Sequence, residues 1–139
     1  MKGRFFLDTN VFVYEFDSRA PAKTAKASEL IRTALRTKRG VVSYQVIQEF
    51  FNVAFKSFAK PFPVDDAGNY LRTIFTPLLA VHSSPRLYFE AIRIKDSHRL
   101  SWYDSLIVSA ALQADCETLY TEDLQDGRKL EGLTIQNPF

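Results

Sequence analysis

Four carboxylates stand beside or within largely apolar segments: Asp8 after residues 4–7, Glu49 on the polar stripe of the segment 44–58, Asp104 ahead of 106–112, and Asp123 just past 118–120. Acids that meet on folding repel one another. Two unit charges 4 Å apart cost about 4 kcal/mol at an effective dielectric near 20, so such a group either takes up protons or takes up a cation. The chain has one cysteine and two histidines, which excludes thiolate or histidine-rich metal sites. Oxygen donors alone point to Mg²⁺ or Mn²⁺. Held by carboxylates, such an ion lowers the pKa of a bound water and aligns it with a phosphate. Each acid also has a purely structural use. Asp8 can help the chain turn, Ser101-x-x-Asp104 has the form of a capping box, and Asp123 can order its loop. Asp126 is a weaker substitute for Asp123.

These acids can meet only if the elements bring them to one edge. Residues 4–7 read as a buried strand ending at Asp8, with Asn10 as N-cap of a helix from Val11. Ala27, Leu30, Ile31, Ala34 and Leu35 mark an amphipathic helix. Its basic outer face (Lys23, Lys26, Arg32, Arg36, Lys38) is a solvated or phosphate-contacting surface, and Gly40 is its expected C′ stop. Val41-Val42 is a short strand, with Ser43 capping a helix over 44–58. Asp65 or Asp66 caps a helix to about Thr76, which Pro77 ends, and 78–81 form a strand. Ser84 and Pro85 open a helix to about Ser97. The run 106–112 is apolar nearly all round and predicts a central helix. Strands follow at 118–120 and 133–135.

Alternating strands and helices predict an α/β domain with a parallel sheet covered on both faces. In such a sheet, ligands bind at the carboxyl edge of the strands. Asp8 and Asp123 leave strands there, and Asp104 opens a helix antiparallel to the strand that follows. Glu49, a turn and a half into its helix, must reach back.

Composition sets bounds. The 139 residues, 46% of them hydrophobic and 24% charged, suit one domain over 1–139. Met1-Lys2-Gly3 leads directly into a strand, with neither a secretory signal nor a membrane span expected, so the cytoplasm is the expected compartment. The net charge is +2. Setting the four acids aside leaves 12 of the 16 acids against 18 bases, a basic shell around an acidic hole. Tyr14, Phe16, Phe62, Trp102 and Tyr103 offer rings for unpaired bases, although core or interface packing is the expected role for most.

The blocks Phe-Leu-Asp8-Thr9-Asn10-Val, Ser43-x5-Glu49-Phe, Asp104-x3-Val108 and Leu-Tyr-Thr121-x-Asp123-Leu resemble the four signature blocks of PIN domains, nearest to VapC-type toxins of toxin–antitoxin pairs. No single block is specific; four in order are. The resemblance implies a three-layer α/β/α PIN-like fold with a central parallel sheet of four to five short strands. It implies a metal-dependent endoribonuclease, a homodimer silenced by an antitoxin that inserts into the acidic groove. Asp8, Glu49, Asp104 and Asp123 would ligate Mg²⁺ or Mn²⁺, with Asn10 and Thr121 orienting them.

Rival readings remain. A haloacid-dehalogenase-like phosphatase needs a second Asp where Asn10 stands. A phosphoacceptor domain needs an Asp after the 78–81 strand, where His82-Ser83-Ser84 stand. The third is a silent PIN-like interaction module whose acidic pocket binds an arginine-bearing partner.

Overall fold

The computed structural model describes residues 3–139. Arg4–Leu7 (β1) leads into Thr9–Tyr14 (α1) and Pro21–Thr37 (α2), then Gly40–Ser43 (β2) and Tyr44–Lys56 (α3). Val64–Tyr70 (α4) runs through a π-helical turn at Leu71–Phe75 into the short Thr76–Leu78 (α5) and Leu79–Val81 (β3). Pro85–His98 (α6), Trp102–Gln113 (α7), Cys116–Tyr120 (β4), Lys129–Leu130 (β5) and Leu133–Gln136 (β6) complete the order. The six strands lie as β3-β2-β1-β4-β6-β5. All neighbours are parallel except the β5–β6 pair. Helices flank the sheet on both faces, the three-layer α/β/α arrangement expected of the chain, with six strands instead of four to five. Among the described residues no helix is long and apolar enough to cross a membrane.

Phe5, Phe6 and Leu7 are buried on both faces of β1, as an apolar run without alternation requires. From Ser105 to Ala111 every residue of α7 is buried, so it is the central helix. Its two buried hydroxyls are satisfied by carbonyls: Ser105 Oγ donates to Ser101 O at 2.7 Å and Ser109 Oγ to Leu87 O at 3.0 Å.

Several local expectations are corrected. The first helix starts at Thr9, not Val11, and Asp8 is its cap, its Oδ1 accepting from Thr9 N. That releases the Asn10 side chain for other partners. Lys38, at φ 59°, ends α2 in the left-handed conformation, whereas Gly40 lies inside β2. A Cβ at Gly40 would stand 2.2 Å from Ala34 Cβ, so close helix–strand approach explains that glycine. Pro63 occupies the cap position of α4, with Asp65 and Asp66 in the first turn. Pro77 lies one residue before the end of this continuous helical segment at Leu78, so the helix stops just past the proline. The hairpin strand β5, too short to show a pattern, was not expected. Its turn uses Glu131 (φ 54°) and Gly132 (φ 91°), two consecutive positive φ values as a type I′ hairpin needs.

Candidate active site

Parallel pairing of β1 with β4 aligns Leu7 with Tyr120, so Asp8 and Thr121 leave the sheet side by side. Asp8 N donates to Tyr120 O and Thr121 N to Gln136 O, at 3.0 and 3.1 Å. The Asp8 carboxylate is buried, 5% exposed. Its Oδ1 accepts from Thr9 N at 2.7 Å and its Oδ2 from Thr121 Oγ1 at 2.8 Å. Burial pushes its pKa up to about 7, with the negative charges of Asp123 and Glu49 adding to the rise and the Thr121 and Thr9 hydrogen bonds opposing it.

Thr121 ties the other loops to this point. Its Oγ1 accepts from Asp123 N at 3.1 Å and from Asn10 Nδ2 at 3.4 Å. Asn10 Nδ2 also donates to Asp123 Oδ2 at 3.3 Å. Asn10 Oδ1, by contrast, is buried without a hydrogen-bond partner. Partial desolvation of the Asp123 carboxylate, then the Asp104 charge, raise the Asp123 pKa; Glu122 and Glu49 add to it.

Glu49 reaches back from α3 as its depth in the helix demands. Its Oε1 accepts from Thr9 Oγ1 at 2.7 Å, and its Oε2 from Gln45 Nε2 at 3.3 Å. Gln45 Nε2 also donates to Tyr103 O at 3.4 Å, linking α3 to the start of α7. There Ser101 caps the helix through Asp104 N at 3.2 Å, so the capping role of this segment is present. Asp8, Glu49, Asp123, Asn10 and Thr121 thus share one hydrogen-bond network, which Asp104 joins through its charge on Asp123. Asp126 is engaged elsewhere: its Oδ1 accepts from Asn137 N at 2.8 Å.

The network borders a groove of about 580 Å³ lined by Thr9, Asn10, Glu49, Asn52, Glu122 and Asp123 among others, with Asp8 behind its wall. Three participants were missed from sequence. Thr9 and Gln45 had a signal, being the hydroxyl between Asp8 and Asn10 and the residue four before Glu49 on one polar stripe. Glu122 accepts from Tyr14 Oη at 2.5 Å and pairs with Lys23 at 3.2 Å; nothing in its neighbours announced that. Of the rings named above, Tyr14 is thereby engaged, Trp102 stacks on Tyr88 at 6.4 Å, and Tyr103 is 65% exposed.

The donors present are oxygens, which match a hard divalent ion. Asn10 Oδ1 is a buried acceptor in need of a positive neighbour, and the charges acting on Asp8 are negative. Among the described residues no three acidic, histidine or cysteine side chains already converge as a metal cluster. Glu49 is held by Thr9 and Gln45. The donor chemistry fits an ion.

A family model for the PIN domain matches residues 5–127. Comparison with curated proteins gives no match. Among solved structures, a toxin–antitoxin complex from Klebsiella pneumoniae superposes with a TM-score of 0.67 at 16% identity, over 96% of this chain and 97% of that one. DNA-bound VapBC from Salmonella typhimurium gives 0.67 at 18% identity over 99% of both chains. VapC20 of Mycobacterium tuberculosis, a sarcin-ricin loop cleaving toxin, gives 0.60 at 17% identity over 86% of this chain and 89% of that one. At these identities the structural likeness is one of fold. Matched by the family model over most of its length, the chain belongs to the PIN domain family.

Proposed function

We propose that the chain, acting as a single domain over 1–139, is a metal-dependent endoribonuclease and the toxin of a toxin–antitoxin pair. The observation that carries this reading is the buried Asp8 carboxylate, surrounded by further negative charge at the carboxyl edge of the sheet. Asp8, Glu49, Asp104 and Asp123 would hold Mg²⁺ or Mn²⁺, directly or through water. When bound, the ion supplies an acidified water and neutralises charge on the phosphate. The chain does the positioning. Thr9 N and Thr121 Oγ1 fix both Asp8 oxygens, Thr9 Oγ1 and Gln45 Nε2 aim Glu49, and Asn10 holds Asp123. Its structural neighbours include a toxin–antitoxin complex and a sarcin-ricin loop cleaving toxin, which supports an antitoxin partner and an RNA substrate. A homodimer in the cytoplasm completes the proposal.

The acids lining the groove also suit one alternative, a silent module that binds an arginine-bearing partner there. RNA cleavage by purified protein decides between them. Cleavage with Mn²⁺ that stops in excess chelator, and in folded Asp8→Asn and Asp104→Asn variants, supports the nuclease. No cleavage under any metal, with partner binding intact, supports the module.

A further inference from the structure

The acidic groove continues past Asp17 and Arg19 into a second, apolar pocket of about 300 Å³. This pocket lies between the turn joining α1 to α2 and the end of α3, with Phe16, Ser57 and Phe58 in its lining. Val13, Asp17, Arg19 and Val53 line both spaces, so a strand lying in the groove passes the pocket's mouth.

Phe16 is 39% exposed, yet its ring is firmly held. Phe62 meets it edge-on at 5.0 Å, Tyr70 at 5.3 Å, and the Phe58 and Phe50 rings stand at 5.5 and 5.9 Å. A ring braced by four others and still open to solvent is a ready platform for another flat group. At the mouth, the Arg19 side chain is 89% exposed. Its Nε and Nη2 donate to the two Asp17 oxygens at 3.0 and 3.3 Å, which fixes the guanidinium and leaves its remaining N–H groups facing outward.

We propose that this pocket is a nucleobase subsite, taking one unpaired base of the RNA strand whose phosphodiester lies in the acidic groove. Phe16 provides the stacking face, and Arg19 meets a phosphate beside that base. The proposal rests on the RNA-cleaving reading above. Arg19 is the one cation among the described residues lining the two spaces, and the N–H groups it does not give to Asp17 suit a phosphate oxygen. With Glu49 and Asp123 neutralised by the ion proposed above, a phosphodiester in the groove brings the neighbouring base to the mouth of the apolar pocket. An aliphatic side chain gains nothing from Arg19. Stacking on an aromatic ring is also tolerant of base identity, so the subsite sets register more than sequence.

The test uses short unstructured RNAs carrying 2-aminopurine, or an abasic nucleotide, at each position in turn. Binding is read by fluorescence with Mn²⁺ present before cleavage develops, and cleavage is then timed. Wild type is expected to quench the probe at one position near the cut, and an abasic nucleotide there to slow cleavage about tenfold. Phe16→Leu removes the stacking face, and Ser57→Leu narrows the pocket from its exposed rim while leaving every ring of the aromatic cluster in place. Both are expected to lose the quench and the abasic penalty. Quenching and abasic penalties that match wild type in Ser57→Leu and Phe16→Leu would overturn the subsite. Tolerance of abasic nucleotides at every position by wild type would overturn it as well. Position-specific quenching without any cleavage sinks the nuclease reading while leaving the subsite standing.

Discussion

The Thr121 hydroxyl donates to Asp8 Oδ2 at 2.8 Å across 113 positions of chain. Adjacent parallel strands deliver the two residues to the same edge in register, and Thr121 is wholly buried. The bond fixes the orientation of an acid that burial alone would leave protonated at mildly acidic pH.

Asp8 makes stability depend on pH in a defined direction. Its folded pKa of about 7 lies above the ordinary value of 3.8, so the folded state binds the extra proton between those values. The stabilising contribution is complete below about pH 4 and is lost as pH rises through about 7. In excess chelator, wild type should lose on the order of 2–4 kcal/mol across that window relative to Asp8→Asn. Thermal denaturation of both proteins from pH 4 to 8 checks this; parallel curves would show that Asp8 is not perturbed.

Thr9 should matter through Glu49. Thr9→Val keeps the shape and removes the 2.7 Å hydrogen bond that aims the Glu49 carboxylate. Losing such an outer contact lowers metal affinity or activity by about 10- to 100-fold, while the fold loses about 1 kcal/mol. Mn²⁺ titration followed by melting temperature, alongside cleavage rates, measures both. Wild-type affinity in the valine variant would leave Glu49 without this support.

Two serines at helix starts should behave oppositely. Ser101 Oγ accepts from Asp104 N and caps α7, so Ser101→Ala should cost about 1 kcal/mol. Ser43 stands at the start of α3, but its buried Oγ has no hydrogen-bond partner. Ser43→Ala should therefore be neutral or stabilising by up to about 1 kcal/mol. Urea unfolding of the pair discriminates, and equal losses would show that Ser43 is bonded in solution.

Gly40→Ala forces a Cβ to within 2.8 Å of both Ala34 Cα and Phe5 Cε2, with Ala34 Cβ nearer still. Both neighbours sit in packed elements, so the overlap should cost about 1–3 kcal/mol, read as a lower urea midpoint with an unchanged slope. An unaffected midpoint would mean that α2 can lift off β2 freely.

What the residues determined alone is local. Ser84 and Ser101 cap helices, Pro85 opens one, and the run 106–112, apolar but for Ser109, had to be central, because capping and periodicity depend on partners within a few positions. The signature blocks also named the acids, each of which had an equally good structural use by itself. Only the tertiary structure placed β1 beside β4 and so joined Asp8 to Thr121. It alone made Asp8 the helix cap in place of Asn10, turned Glu49 toward Thr9, and gave Gly40 a packing role instead of a stop. Those outcomes depend on contacts between segments far apart in the chain, whose pairing is chosen by the burial and closure of the whole molecule, and no window of neighbouring residues contains that information.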